Sequence, residues 1–116
     1  MSVLGASDTI RNAVLTWEGV EALPHRFGGI EYQLQKRELG HIHGDHMLDI
    51  PFPKKVRDEL VAAGMAEPHH LLPDTGWISF YLLKSADVER AIALLRRSYD
   101  LWVCKLYPTH PEISPD

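Results

Sequence analysis

Apolar positions fall into three helical stripes separated by alternating runs. Ile10, Ala13, Val14 and Trp17 recur at i, i+3, i+4 and i+7, the spacing of one helical face. A first helix is therefore expected over residues 8–18, capped by Ser7 or Asp8 and stopped by Gly19. Val56, Leu60 and Ala63 mark the inner face of a second helix. Pro53 begins it, since a missing N–H costs nothing in a first turn, and Gly64 closes it. Val88, Ala91, Ile92, Leu95 and Tyr99 form the stripe of a third, opened by Ser85 with Asp87 and Glu89 in its first turn, where negative charge is favourable. The apolar run Leu101-Trp102-Val103 either extends this helix or makes a short extra element.

Between the stripes the period changes to two. Ile30, Tyr32 and Leu34 alternate with Glu31, Gln33 and Gln35, the pattern of a half-buried strand. Residues 22–27 read as a weaker strand that Pro24 confines to a sheet edge. Residues 39–43 and 47–52 read as two strands joined by a turn at Gly44-Asp45, 65–75 as a loop, and 77–83 as the clearest strand. The order of elements predicts an α+β fold, a mostly antiparallel sheet with helices packed on one face. The other face is then expected to be open to solvent or to a partner.

A chain of 116 residues suits one small domain with one core, taken as residues 1–107. Residues 108–116 contain three prolines and are expected to form a tail. The formal charge is -4, with basic residues only in short pairs such as Lys36-Arg37, Lys54-Lys55 and Arg96-Arg97. Nucleic-acid binding calls for clustered cations, so no nucleic-acid partner is expected. Cys104 is the only cysteine, which rules out an intrachain disulfide and fits a cytoplasmic location. No apolar run approaches the roughly 20 residues of a membrane span, and the start lacks a signal-peptide pattern.

The chemistry concentrates in histidine. Most of the chain's seven histidines fall between His41 and His70, and imidazole is both the commonest metal ligand and a group that titrates near neutrality. On a strand, His41 and His43 share one face, and two imidazoles so placed can begin a metal site. Zinc needs further ligands; His46, Asp45, Glu38, His69 and His70 are the candidates, and His41, His43 and His70 make the expected set. The bland reading is a pair of hydrogen-bonded histidines on a sheet surface. His69 and His70 are expected either to fold over that surface or to remain a solvated loop pair. Trp77, Ser79 and Tyr81 alternate with Ile78, Phe80 and Leu82, which brings aromatic and hydroxyl groups to the histidine face. That surface suits a ligand or a subunit interface, although Trp77 also fits as a rim packing residue. Glu38, Asp45 and Asp49 could serve as general bases beside a metal-bound water, but the expected reading is solvated or turn-forming residues.

Other chemistries find less support. Residues 41–46 spell H-x-H-x-D-H, a metal motif of the metallo-β-lactamase superfamily. There it follows a buried strand and leads into a helix, whereas here a polar strand precedes it and a second strand follows. The chain is also too short for that fold, so the match is read as coincidence. No G-x-S-x-G elbow is present, Ser79 and Ser98 lack an evident base, and Gly28-Gly29 leads into a strand and not the helix a phosphate loop needs.

Six segments carry a family resemblance: Phe27-Gly28-Gly29, Glu38-Leu39-Gly40-His41-Ile42-His43, Asp49-Ile50-Pro51-Phe52-Pro53, His69-His70, Gly76-Trp77-Ile78-Ser79-Phe80 and Ser98-Tyr99. In this order and spacing, over residues 17–99, the chain resembles the small luciferase-domain family of bacterial and fungal proteins. The layout is also similar to the MmcQ/YjbR group, with its CyaY-like α+β fold, through Glu18-Gly19-Val20, Trp77 and Ser98-Tyr99. That group lacks the histidine pattern, so only its fold carries over. The resemblance implies an open-faced sheet flanked by helices; it assigns no established catalytic residue, and the family's name does not license light emission. The expected role is binding of a small polar ligand or a divalent metal such as zinc around His41, His43, His69, His70, Trp77 and Tyr81. The alternatives are a metal-dependent hydrolase using the same histidines, or a homodimer module pairing through the Trp77 and Tyr81 face.

Overall fold

The computed structural model describes residues 2–25 and 28–108. Phe27, and all of the expected tail except Pro108, lie outside them. In chain order the elements are α1 (Ala6–Val14), β1 (Val20–Pro24), β2 (Ile30–Leu34), β3 (Arg37–His43), β4 (Met47–Pro51), α2 (Lys54–Ala62), β5 (Glu67–Pro68), β6 (Trp77–Tyr81) and α3 (Ala86–Leu106). The strands form one sheet in the order β1-β2-β3-β4-β6-β5, with every neighbouring pair antiparallel. The α+β expectation is met, and β1, with Pro24 at its end, takes an edge. No helix among the described residues is long and apolar enough to cross a membrane.

Several boundaries differ from those the pattern suggests, for local reasons. α1 starts earlier and stops at Val14. Thr16 Oγ1 donates to the Ala13 carbonyl at 2.6 Å, and this local bond competes with further helix. Neither Ser7 nor Asp8 caps α1 with its own side chain. Asp45, from the β3–β4 turn, instead accepts from the Gly5 and Ser7 N–H groups at 3.1 and 2.8 Å. Half-buried Asp45 is thus a helix cap supplied across space from the turn and not a solvated residue. α2 buries only Leu60 fully, with Val56 half-buried and Ala63 exposed. Residues 101–103 continue α3. The expected loop over 65–75 contains β5, a two-residue strand that periodicity is too short to reveal.

The helix-facing side of the sheet is an apolar core. Ile42, Leu48, Ile50, Ile78 and Phe80 join Ile10 and Val14 of α1, Leu60 of α2 and Leu94 and Leu95 of α3 in one buried cluster. The opposite face carries His41, His43, Asp49 and Ser79, and it is not open at its centre: His41 is 7% exposed, Asp49 2% and Ser79 0%. The residues that alternate with the apolar core are therefore a second, polar interior.

Candidate metal centre

Three neighbouring strands build the polar interior by register. His41 on β3 pairs with Asp49 on β4, and Asp49 pairs with Ser79 on β6. Directly opposed residues point to the same face, so imidazole, carboxylate and hydroxyl form a row across the sheet. The β3–β4 turn is short enough to fix this row, since His43 pairs with Met47.

A second device brings Glu38 into the row's neighbourhood. β2 and β3 are joined by a tight turn with positive φ at both Gln35 and Lys36, the requirement of a type I′ hairpin. The ladder then shifts register between Tyr32 and Gln33, whose partners are Gly40 and Glu38. Leu39 is the extra residue of this bulge. Gly40 faces the helices, where a Cβ would lie 2.8 Å from Leu95 Cδ2 and 3.1 Å from Ile50 Cγ1. The bulge re-aims the strand, so Glu38 and His41, three residues apart, meet on the polar face. Glu38 Oε2 lies 2.5 Å from His41 Nδ1.

Asp49 is the hub. Its Oδ2 lies 3.3 Å from His41 Nε2 and 3.0 Å from His43 Nε2. Its Oδ1 accepts from Ser79 Oγ at 2.8 Å and lies 3.4 Å from His69 Nε2 and 3.6 Å from His70 Nδ1. The residue that the sequence pattern suggests is solvated or turn-forming is thus among the most buried in the chain. It sits mid-strand, where alternation places it opposite His41.

The charges follow from these contacts. Burial pushes the Asp49 carboxyl up, but hydrogen bonds from His41, Ser79 and His43 outweigh it and hold the pKa well below the carboxylate range. Burial also disfavours charge on His41, yet bonds to Asp49 and Glu38 win and raise its pKa to about 9. With no cation present, His41 is an imidazolium between two carboxylates. The His69 pKa is lowered, first by burial and also by the neighbouring His70 and His41. Burial, reinforced by His41, likewise lowers that of His25.

Among the described residues, three sets of side chains bring potential ligand atoms within 4.8 Å of one another: His25, Glu38 and His41; His41, His43 and Asp49; and Asp49, His69 and His70. Ring geometry separates them. An imidazole lone pair lies in the ring plane, so two stacked rings aim their lone pairs side by side and not at one point. His25 stacks on His41 at 3.8 Å and 19°, and His69 on His70 at 4.4 Å and 22°. His41 and His43 are nearly perpendicular, 4.8 Å apart at 86°, and their Nε2 atoms converge on one oxygen.

Hydrogen bonding removes the third set independently. His69 Nδ1 accepts from the Leu71 and Leu72 N–H groups at 3.0 and 3.1 Å, so the neutral ring carries its proton on Nε2, towards Asp49. Ser79 spends its single proton on Asp49, so the bond between His70 Nδ1 and Ser79 Oγ, 3.1 Å long, must be donated by His70. Both loop histidines therefore turn protonated nitrogens towards the carboxylate. His70 reaches the other oxygen of Asp49 from the one His41 and His43 share.

The remaining expected residues occupy the surroundings. Trp77 packs 5.7 Å from the His41 ring and 5.8 Å from that of His69, a half-buried wall of the site. Tyr81 lies further along the same strand face, opposite Met47, and is half-buried. His46 is exposed, 6.4 Å from the His43 ring. His25, Glu38 and Asp49 are the members that periodicity does not single out. Only Asp49 had a usable signal, in the hairpin register.

No match is found among curated proteins or among solved structures, so the likeness to the MmcQ/YjbR layout gains no support from these comparisons. A family model described as Luciferase domain matches residues 36–98, a span that holds Glu38, His41, His43, Asp49, both loop histidines, Ser79 and most of α3. With more than half of the chain matched, and the match centred on the buried histidine–aspartate row, the protein belongs to the luciferase-domain family.

Proposed function

We propose that this protein binds one divalent transition-metal ion, zinc or a close analogue, through His41 Nε2, His43 Nε2 and Asp49 Oδ2. One observation carries the reading: two perpendicular imidazoles present their Nε2 atoms to the same carboxylate oxygen at 3.3 and 3.0 Å. Zinc binds N and O ligands at about 2.0–2.2 Å, so the ligand-to-ligand edges of its tetrahedron are about 3.3–3.5 Å. Both nitrogen-to-oxygen edges stand close to that spacing before any ion enters. Glu38 supports His41 from behind, the carboxylate–histidine–metal arrangement that fixes the tautomer and strengthens the ligand. The cation would replace the His41 proton between the two carboxylates, so loading should release protons and strengthen with rising pH.

Protein purified without a histidine tag and equilibrated with zinc should hold one ion per chain by elemental analysis, and Asp49→Asn and His43→Ala should each abolish this. Wild-type protein that retains no zinc, or variants that retain all of it, would refute the reading. Three protein ligands with a fourth position left over is the composition of catalytic zinc sites. That observation favours, as a second reading, a hydrolase in which the ion acts as Lewis acid. Its mark would be turnover that disappears on chelation and returns with zinc.

A further inference from the structure

Asp49 is the only proposed ligand whose coordination mode is open, since a carboxylate can bind an ion through one oxygen or through both. We infer that Ser79 and His69 are positioning residues that keep Asp49 one-toothed and so set which ions the centre accepts. This rests on the metal reading above, but concerns residues that reading does not use.

Ser79 is fully buried, and its hydroxyl proton goes to Asp49 Oδ1 at 2.8 Å. The direction of that bond is enforced from the other side. The His70 backbone N–H and Nδ1 approach Ser79 Oγ at 3.3 and 3.1 Å, occupying its acceptor positions. His69 adds a second donor to Oδ1 from 3.4 Å, and its tautomer is fixed because Nδ1 accepts from Leu71 and Leu72. Oδ1 is thereby engaged by donors and Oδ2 is left facing His41 and His43. Calcium takes six to eight oxygen ligands at about 2.3–2.6 Å, often with two-toothed carboxylates. A centre offering two imidazoles and a single free carboxylate oxygen instead suits a small, nitrogen-preferring ion of zinc type.

Cobalt(II) is the probe, because its visible absorption reports coordination number. Wild-type protein should bind it with the intense bands of a four-coordinate ion. Ser79→Ala frees Oδ1, so its spectrum should shift towards the weak bands of five-coordination. Zinc affinity should fall about tenfold to a hundredfold, and discrimination against calcium should narrow. His69→Gln should move the spectrum the same way by less. It supplies a second readout should Ser79→Ala fail to fold, which thermal melting would reveal. If wild-type protein binds no cobalt, the metal reading itself fails. If wild-type protein binds cobalt and both variants keep its spectrum and its zinc affinity, the metal reading stands and the positioning inference is overturned.

Discussion

The two faces of strands β3, β4 and β6 are made from alternate residues of the same short segments, and both are buried, yet different physics holds them. Ile42, Leu48, Ile50, Ile78 and Phe80 pack beneath α1 and α3 and are excluded from water because they are apolar. His41, Asp49 and Ser79 are as deeply buried, but each is there only because its neighbour satisfies it. The apolar face depends on volume and is indifferent to pH. The polar face depends on protons and, under the metal proposal, on the cation that would stand between its carboxylates. A buried charge without its partner is costly, and a buried charged network is weak evidence of stability. Under the metal proposal, its place across three strands is that of a binding device.

The largest expected effect tests the apolar side. Phe80→Ala should cost about 3–5 kcal/mol in denaturant unfolding, because it leaves a cavity among side chains that cannot fully close. A loss under about 1 kcal/mol would mean that Phe80 is not part of the core, since surface changes rarely exceed about 0.5 kcal/mol. The Phe80→Ala protein should still gain as much stability from zinc as wild type does.

Asp49→Asn should follow at about 2–3 kcal/mol for metal-free protein near neutral pH, since charged hydrogen bonds from His41, His43 and Ser79 are weakened together. Unlike Phe80→Ala, it should lose the stabilisation by zinc entirely. A stabilised Asp49→Asn protein with intact zinc response would erase the distinction between the faces.

The pH dependence is expected only on the polar side. His41 has a folded pKa raised to about 9, above the unfolded value of about 6.5. Its contribution is fully present below about pH 6.5 and is lost as pH rises through about 9, on the order of 3 kcal/mol. Asp49 has a lowered folded pKa, so its contribution is present above about pH 4 and is lost as pH falls further. These are two views of one interaction and do not add. Unfolding free energies of metal-free wild type at pH 6 and pH 9.5 should differ in that direction, while Asp49→Asn shows a smaller alkaline loss, the part that Glu38 sustains. A flat wild-type profile would contradict the imidazolium assignment for His41.

The smallest effects sharpen the boundary of the site. Glu38→Gln should weaken zinc binding about tenfold, as outer-shell changes do. His70→Ala removes a part-exposed side chain and should change stability by less than about 1 kcal/mol. It should also leave zinc bound, which isothermal titration would show. Loss of zinc in His70→Ala would restore the loop histidine to the ligand set.

Much of this layout was legible in the sequence, and the limits have physical causes. Helical and strand periods located α2, α3, β2, β4 and β6, and alternation placed His41, His43, Trp77 and Tyr81 on one face. The hub was legible in principle: a turn at residues 44–46 that pairs His43 with Met47 must also pair His41 with Asp49. It was overlooked because an aspartate beside a turn is most often a turn residue, and Asp45, next to it in the same hairpin, was the one serving a helix end. Glu38 is among the ligand candidates the sequence offers, but its place on the histidine face is hidden by the bulge at Leu39, because an inserted residue breaks the alternation by which faces are read. His25 joins through a sheet edge whose register no local pattern gives. The expectation of an open face failed because His69 and His70 reach over Asp49 and Ser79 and His25 stacks on His41, long-range packing events with no period of their own.

The most direct test of the account is anomalous diffraction at the zinc edge from crystals grown with one equivalent of zinc. The account predicts a single ion within about 2.0–2.2 Å of His41 Nε2, His43 Nε2 and one oxygen of Asp49, with Ser79 still donating to the other oxygen. No ion at this position, or an ion held by His69 and His70 instead, would contradict it.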